Sequence, residues 1–150
     1  MPEFIMNGKD APDFAALDDF TQAYIEALFF TSCEGSTEAG TFDPENGSPL
    51  PDEAGFSDLA PEALREIVLD CEAFQKDYGR FWNPHLVDNP GKNDAQAGHD
   101  FWLTRNRHGA GFWDRPEIYG EPNAYLLTEA AQRFGECSVY LGDDSKIHIL

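Results

Sequence analysis

The residues best suited to chemistry crowd one stretch of the chain. His99, Asp100, Arg105, Arg107, His108, Asp114 and Arg115 fall within seventeen positions. Imidazole and carboxylate are ligand types for zinc or another divalent ion. Their spacing matches no standard metal motif, since the chain has neither His-Glu-x-x-His nor Cys-x-x-Cys. No metal and no other cofactor is therefore expected. The arginines offer a different chemistry. Residues 99–115 carry three arginines against two aspartates, a local charge of +1 with the histidines neutral. Phe101, Trp102, Phe112 and Trp113 are interleaved with them. Arginine and aromatic faces together can hold a base or a phosphate. A ligand or enzyme site would sit at His99, Arg105, Arg107 and His108. The plainer reading puts the aromatics in the core and pairs the arginines with the protein's own acids.

Nucleophilic catalysis has little support. There is no Gly-x-Ser-x-Gly elbow, no Gly-Lys-Thr phosphate loop and no dinucleotide glycine fingerprint. The three cysteines, Cys33, Cys71 and Cys137, are odd in number and widely spaced. That pattern suits free thiols in a reducing cytoplasm. Cys71 lies on an apolar helical stripe, which favours an inert core thiol. A non-enzymatic role is the expectation.

Charge is the strongest feature of the chain. Its 150 residues hold 28 acids and 10 bases, a formal charge of −18. Residues 1–64 carry fourteen acids against Lys9 alone, or −13, and residues 65–150 carry −5. Such a field makes direct binding to nucleic acid or an anionic membrane unfavourable and attracts basic partners. The candidate partner surface is Asp18, Asp19, Glu26, Asp43, Glu45, Asp52 and Glu53. Acidity could also serve solubility alone. No run of eighteen apolar residues is present, so no membrane span is expected. The first ten residues lack the pattern of a signal peptide.

The elements that would position these groups follow from periodicity. Pro12 and Asp13 open a helix over about residues 11–31, with Leu17, Phe20, Tyr24 and Leu28 inward and Asp18, Gln22 and Glu26 outward. A long acidic loop rich in Gly and Pro follows, at about 34–56. Leu64, Ile67, Cys71 and Phe74 mark a second helix starting near Pro61. Residues 99–105 and 112–115, around Gly109 and Gly111, read as a β-hairpin that buries Trp102 and Trp113. In that hairpin His99 and Asp100 point to opposite faces, and His99 reaches Asp114 across the strands. A third helix spans about Pro122 to Phe134, with Gly135 as its cap. Residues 138–141 and 146–149 form a second hairpin around Gly142 to Ser145. The expected fold is a single α+β domain over residues 1–150. Its N-terminal helices pack on an antiparallel sheet of two hairpins, in the order ααββαββ.

The block from Gly98 to Arg115, Gly-His-Asp-Phe-Trp-Leu-Thr-Arg-Asn-Arg-His-Gly-Ala-Gly-Phe-Trp-Asp-Arg, resembles a family of small acidic proteins encoded by tailed phages and prophages. The resemblance extends to Tyr24–Phe30, Leu127–Ala131, Phe134-Gly135 and Tyr140–Asp144. It covers most of the chain except residues 34–56 and 80–97. It implies a phage origin and an accessory role in the bacterial host cytoplasm, and it supplies no catalytic residues. Combined with the charge, it leads to a host-directed inhibitor or modulator. Its acidic, DNA-mimicking surface would engage a basic nucleic-acid-binding or defence protein. The alternatives are a small enzyme or ligand-binding domain on residues 99–115, and a phage structural subunit.

Overall fold

The computed structural model describes residues 11–32, 55–81, 90–107, 111–115, 119–137, 139–142 and 144–149. Five α-helices dominate them: α1 Pro12–Ala15, α2 Asp19–Ser32, α3 Pro61–Tyr78, α4 Pro90–Arg105 and α5 Glu121–Arg133. Short 3₁₀ turns occur at Phe56–Asp58, Gly79–Phe81 and Phe112–Asp114. The strands are β1 Val139–Leu141 and β2 Ile147–Ile149, paired antiparallel with Tyr140 opposite His148. The expected α+β sheet of two hairpins is therefore corrected. The described residues are mostly helical and hold one hairpin, the C-terminal one.

The correction falls on residues 99–115. His99 to Arg105 are the last two turns of α4, and Phe112 to Asp114 form a 3₁₀ turn. Helical geometry puts Ala97, Gly98, Asp100, Phe101, Trp102, Leu103, Thr104 and Arg105 all in buried positions. A helix covered on nearly every side shows no polar stripe, so its apolar run mimics a strand. Phe101 stacks on Phe74 of α3 at 4.2 Å between centroids and meets Phe134 edge-on at 5.1 Å. Trp102 meets Tyr24 of α2 edge-on at 5.3 Å. Its indole N–H donates to Thr31 Oγ1 at 2.9 Å, so the buried donor is satisfied. Gly111 packs its backbone against the Thr104 side chain, and the Phe112 N–H donates to Thr104 Oγ1 at 3.0 Å. Gly109 lies outside the described residues.

The first helix also differs from expectation. Residues 16–18 interrupt it, and Asp18 caps the new start by accepting from the Thr21 N–H at 2.8 Å. Gln75 of α3 donates to the other Asp18 oxygen at 3.2 Å, which ties the two helices together. Phe20, Tyr24, Ile25, Leu28 and Phe29 are all buried, so α2 runs through the core rather than over it.

Helices α2 and α4 meet at Gly98. A methyl group there would strike the Phe20 carbonyl oxygen and lie about 3.0 Å from Phe20 Cα. Backbone cannot rotate away as a side chain can. Gly98→Ala should therefore cost about 1–3 kcal/mol or more, despite the better helix propensity of alanine. An urea melt with unchanged or raised stability would show that the two helices are not in close backbone contact.

Other elements follow their local signals. Pro61 begins α3, and Ile67, Cys71 and Phe74 are buried along it, with Leu64 half-buried. Gly120, at φ 86°, leads into α5, and Gly135, at φ 83°, follows it. The hairpin docks through a parallel bridge between Ile147 and Leu59, and the Ala60 N–H donates to the Ile147 carbonyl at 2.9 Å. Among the described residues no helix is long and apolar enough to cross a membrane.

Candidate functional site

Arg105, proposed for a ligand, is instead committed to the protein itself. It lies at the C-terminal end of α4 with only 4% of its side chain exposed. Nε donates to the Gly135 carbonyl at 2.8 Å, and Nη2 donates to the Phe134 carbonyl at 3.0 Å. Nη1 donates to Asp70 at 2.9 Å and to the Tyr24 hydroxyl at 3.1 Å. The guanidinium carbon also sits 5.5 Å from the Phe101 ring centre and 5.7 Å from that of Phe134. Burial works against its charge. Tyr24 and the Asp70 hydrogen bond outweigh that effect and hold its pKa above the ordinary arginine value. The fork closes the end of α5 by occupying two carbonyls that have no helical donor.

The second buried charge is Asp100, fully enclosed on α4. Its carboxylate accepts from the Tyr119 hydroxyl at 2.7 Å and from Arg115 Nε at 2.9 Å. Gln96, one turn earlier, donates to both oxygens at 3.2 Å. Burial, and then the neighbouring Asp100 charge, push the Tyr119 phenol well above its usual range. A phenol that holds its proton so firmly is a hydrogen-bond donor rather than a base. The cluster ties Arg115 and Tyr119 to α4.

Of the remaining rival residues, the described ones, His99 and Arg107, make no hydrogen bond to these groups. His99 Nδ1 lies 3.9 Å from Asp100, beyond hydrogen-bond range, and is itself buried without a partner. Sharing α4, His99 and Asp100 are helical neighbours, so the cross-strand pairing of His99 with Asp114 is overturned. Arg107 is exposed in the turn after α4, at φ 58°. His108 lies outside the described residues. Among those residues no three His, Cys, Asp or Glu side chains are grouped to hold a metal ion. Burial raises the Cys71 thiol far above its ordinary pKa and raises that of Cys137 as well, which suppresses thiolate chemistry at both. Cys33 lies outside the described residues.

The acidic set is redistributed. Asp18 is an exposed cap, Asp19 is likewise exposed in the first turn of α2, and Glu26 is half-buried further along. Asp43, Glu45, Asp52 and Glu53 lie outside the described residues. Helix α3 exposes Glu62, Glu66, Glu72 and Asp77 together with Arg65 and Lys76. The Asp18–Gln75 bond sets the acidic start of α2 beside the C-terminal half of α3. Sequence reasoning did not single out the α3 acids, although the apolar stripe of that helix already implied where its opposite face would lie.

It also missed a groove lined by Trp113, Glu121, Ala124 and Tyr125, with a volume of about 430 Å³. Trp113 is 49% exposed and Tyr125 67% exposed, so the expected burial of both Trp102 and Trp113 holds for Trp102 alone. The available signal was Tyr125, which falls on the polar side of the Leu127–Ala131 helical stripe. Compared with known proteins, the chain is matched by no family model, no curated protein and no solved structure.

Proposed function

We propose that the protein is a non-enzymatic binding module whose acidic surface captures a basic, nucleic-acid-binding partner and obstructs or modulates it. One observation carries this reading: Arg105 and Arg115 are turned inward onto Asp70 and Asp100. The locally positive stretch of the sequence thus contributes two of its three arginines to internal pairs. The chain keeps its formal charge of −18, and α3 presents four carboxylates outward. A field of that sign steers cationic partners and repels nucleic acid. The resemblance to phage-encoded acidic proteins makes a bacterial host protein the partner class.

The α3 face supports charge-driven capture more directly than strict phosphate mimicry. Glu62 and Glu66 are about 6 Å apart along the axis at roughly 1.5 Å per residue. Each strand of duplex DNA carries a charge about every 3.4 Å. Closer mimicry would draw on Asp19, Glu26 and the acids at 43, 45, 52 and 53.

The test compares two variant sets against a basic DNA-binding protein captured from bacterial lysate. Changing Glu62, Glu66, Glu72 and Asp77 to their amides should leave the fold intact. It should slow association at low salt by at least about tenfold, with a weaker salt dependence. Arg107→Gln and His99→Gln should change association little. Undiminished, salt-insensitive binding by the amide set would reject the acidic surface. Loss confined to the Arg107 and His99 variants would instead favour a ligand site at the end of α4.

A further inference from the structure

Four large apolar side chains are exposed among the described residues: Leu69, Trp113, Tyr125 and Tyr140. Two of them, Trp113 and Tyr125, line the same groove. Single exposed aromatics are ordinary, but two walls of one cavity form a surface. Both walls stand on fixed elements. Trp113 lies in the 3₁₀ turn held by buried Phe112, whose ring meets Tyr119 edge-on at 5.1 Å. Tyr125 lies one turn into α5, next to Ala124, which is buried and small. Its hydroxyl donates to Glu129 at 3.3 Å. Little ordering would be needed on binding.

The charges around the groove select its occupant. Glu121 lines it, Asp114 is the exposed neighbour of Trp113, and Glu129 holds the Tyr125 hydroxyl. Glu121 is also the first residue of α5, so its carboxylate offsets the positive end of that helix, which would otherwise repel a cation. Aromatic faces attract cations through their quadrupole, and a carboxylate can accept two parallel bonds from a guanidinium. We propose that the groove between Trp113 and Tyr125 receives an arginine side chain of the basic partner, its guanidinium against the aromatic faces and paired with Glu121. This rests on the reading of the protein as a binder of basic proteins and assigns that reading a specific contact.

The probe is a short flexible peptide carrying several arginines, with its citrulline counterpart as the neutral isostere. Both are titrated into the full chain at low salt, with affinity and the Trp113 indole N–H resonance as readouts. The arginine peptide should shift that resonance and bind at least about tenfold more tightly than the citrulline peptide. Trp113→Ala and Tyr125→Ala should each weaken it by about twofold to thirtyfold. Glu121→Gln, which keeps the shape of the groove, should weaken it about threefold or more. Far-ultraviolet circular dichroism of these three surface variants should match the parent. Equal binding of both peptides, or unchanged affinity in all three variants, overturns the groove. If amide replacement of Glu62, Glu66 and Glu72 then removes binding, capture by the acidic surface survives without it. Absence of arginine-peptide binding to the parent protein at low salt would overturn both.

Discussion

Replacing Arg105 by methionine should cost about 3–5 kcal/mol, the combined effect of leaving several buried or half-buried acceptors without their charged donor. Methionine fills much of the same space against Phe101 and Phe134 but donates nothing. The Tyr24 hydroxyl and the Phe134 and Gly135 carbonyls would all lose the donor that now serves them. Arg105→Lys keeps the charge but cannot reproduce the planar fork, so it should fall between methionine and the parent. Asp70→Asn should cost less than either, because the Asp70 side chain is 38% exposed and water can replace part of the bond. For a chain of this size each kcal/mol moves the melting temperature by about 2–4 °C, so the methionine variant should melt roughly 6–20 °C lower. A loss below about 1 kcal/mol would return Arg105 to the pool of groups available for a ligand.

Asp100→Ala should have a comparable effect, again about 3–5 kcal/mol, through a different segment. It strips the acceptor from Tyr119 and Arg115 together and leaves the buried phenol unsatisfied. Tyr119→Phe removes one donor and should cost about 1–3 kcal/mol. The double variant should be less destabilised than the sum of the two, because the phenol that Asp100→Ala orphans is gone. The same cluster sets an alkaline limit. Tyr119 and Tyr24 both have raised pKa values, mainly through burial. In the unfolded chain they release protons near pH 10, while the native state retains them. Native stability is therefore fully present below about pH 9 and falls as pH rises through 10. Urea melts across that window should show the decline, and Tyr119→Phe should flatten it. Additive losses in the double variant would show that Asp100 and Tyr119 act independently.

Helices α3 and α5 were legible because each separates a dry face from a wet one. Ile67, Cys71 and Phe74 recur at helical spacing against exposed Glu66, Glu72 and Asp77, and Pro61 and Gly135 mark the ends. The C-terminal hairpin was equally local, with Val139 to Leu141 and Ile147 to Ile149 bracketing a short turn. Cys71 as a buried thiol followed from the same α3 stripe. The charge of −18 is a property of composition and needs no fold.

The ends of α2 and α4 that matter most were decided by tertiary structure. Helix α2 kept enough contrast, with Asp18, Gln22 and Glu26 opposite Phe20, Tyr24 and Leu28, to be read as a helix, although its break at residues 16–18 was not. The last turns of α4 are enclosed by other elements, so the contrast between faces that reveals a helix is absent from their sequence. The contiguous Phe101-Trp102-Leu103 therefore resembled a strand. The close approach at Gly98 exists only once Phe20, seventy-eight positions away in the chain, is brought against it. The charged partners are equally non-local. Arg105 could have met any of 28 acids, and its choice of Asp70, with two carbonyls at the end of α5, is dictated by where three helices converge. Sequence determined that the protein would be strongly acidic and which of its helices had an outer face. Packing decided that Arg105 and Arg115 would be turned inward while Arg107 stayed exposed, because a buried guanidinium must find acceptors within its reach and the folded chain supplies them.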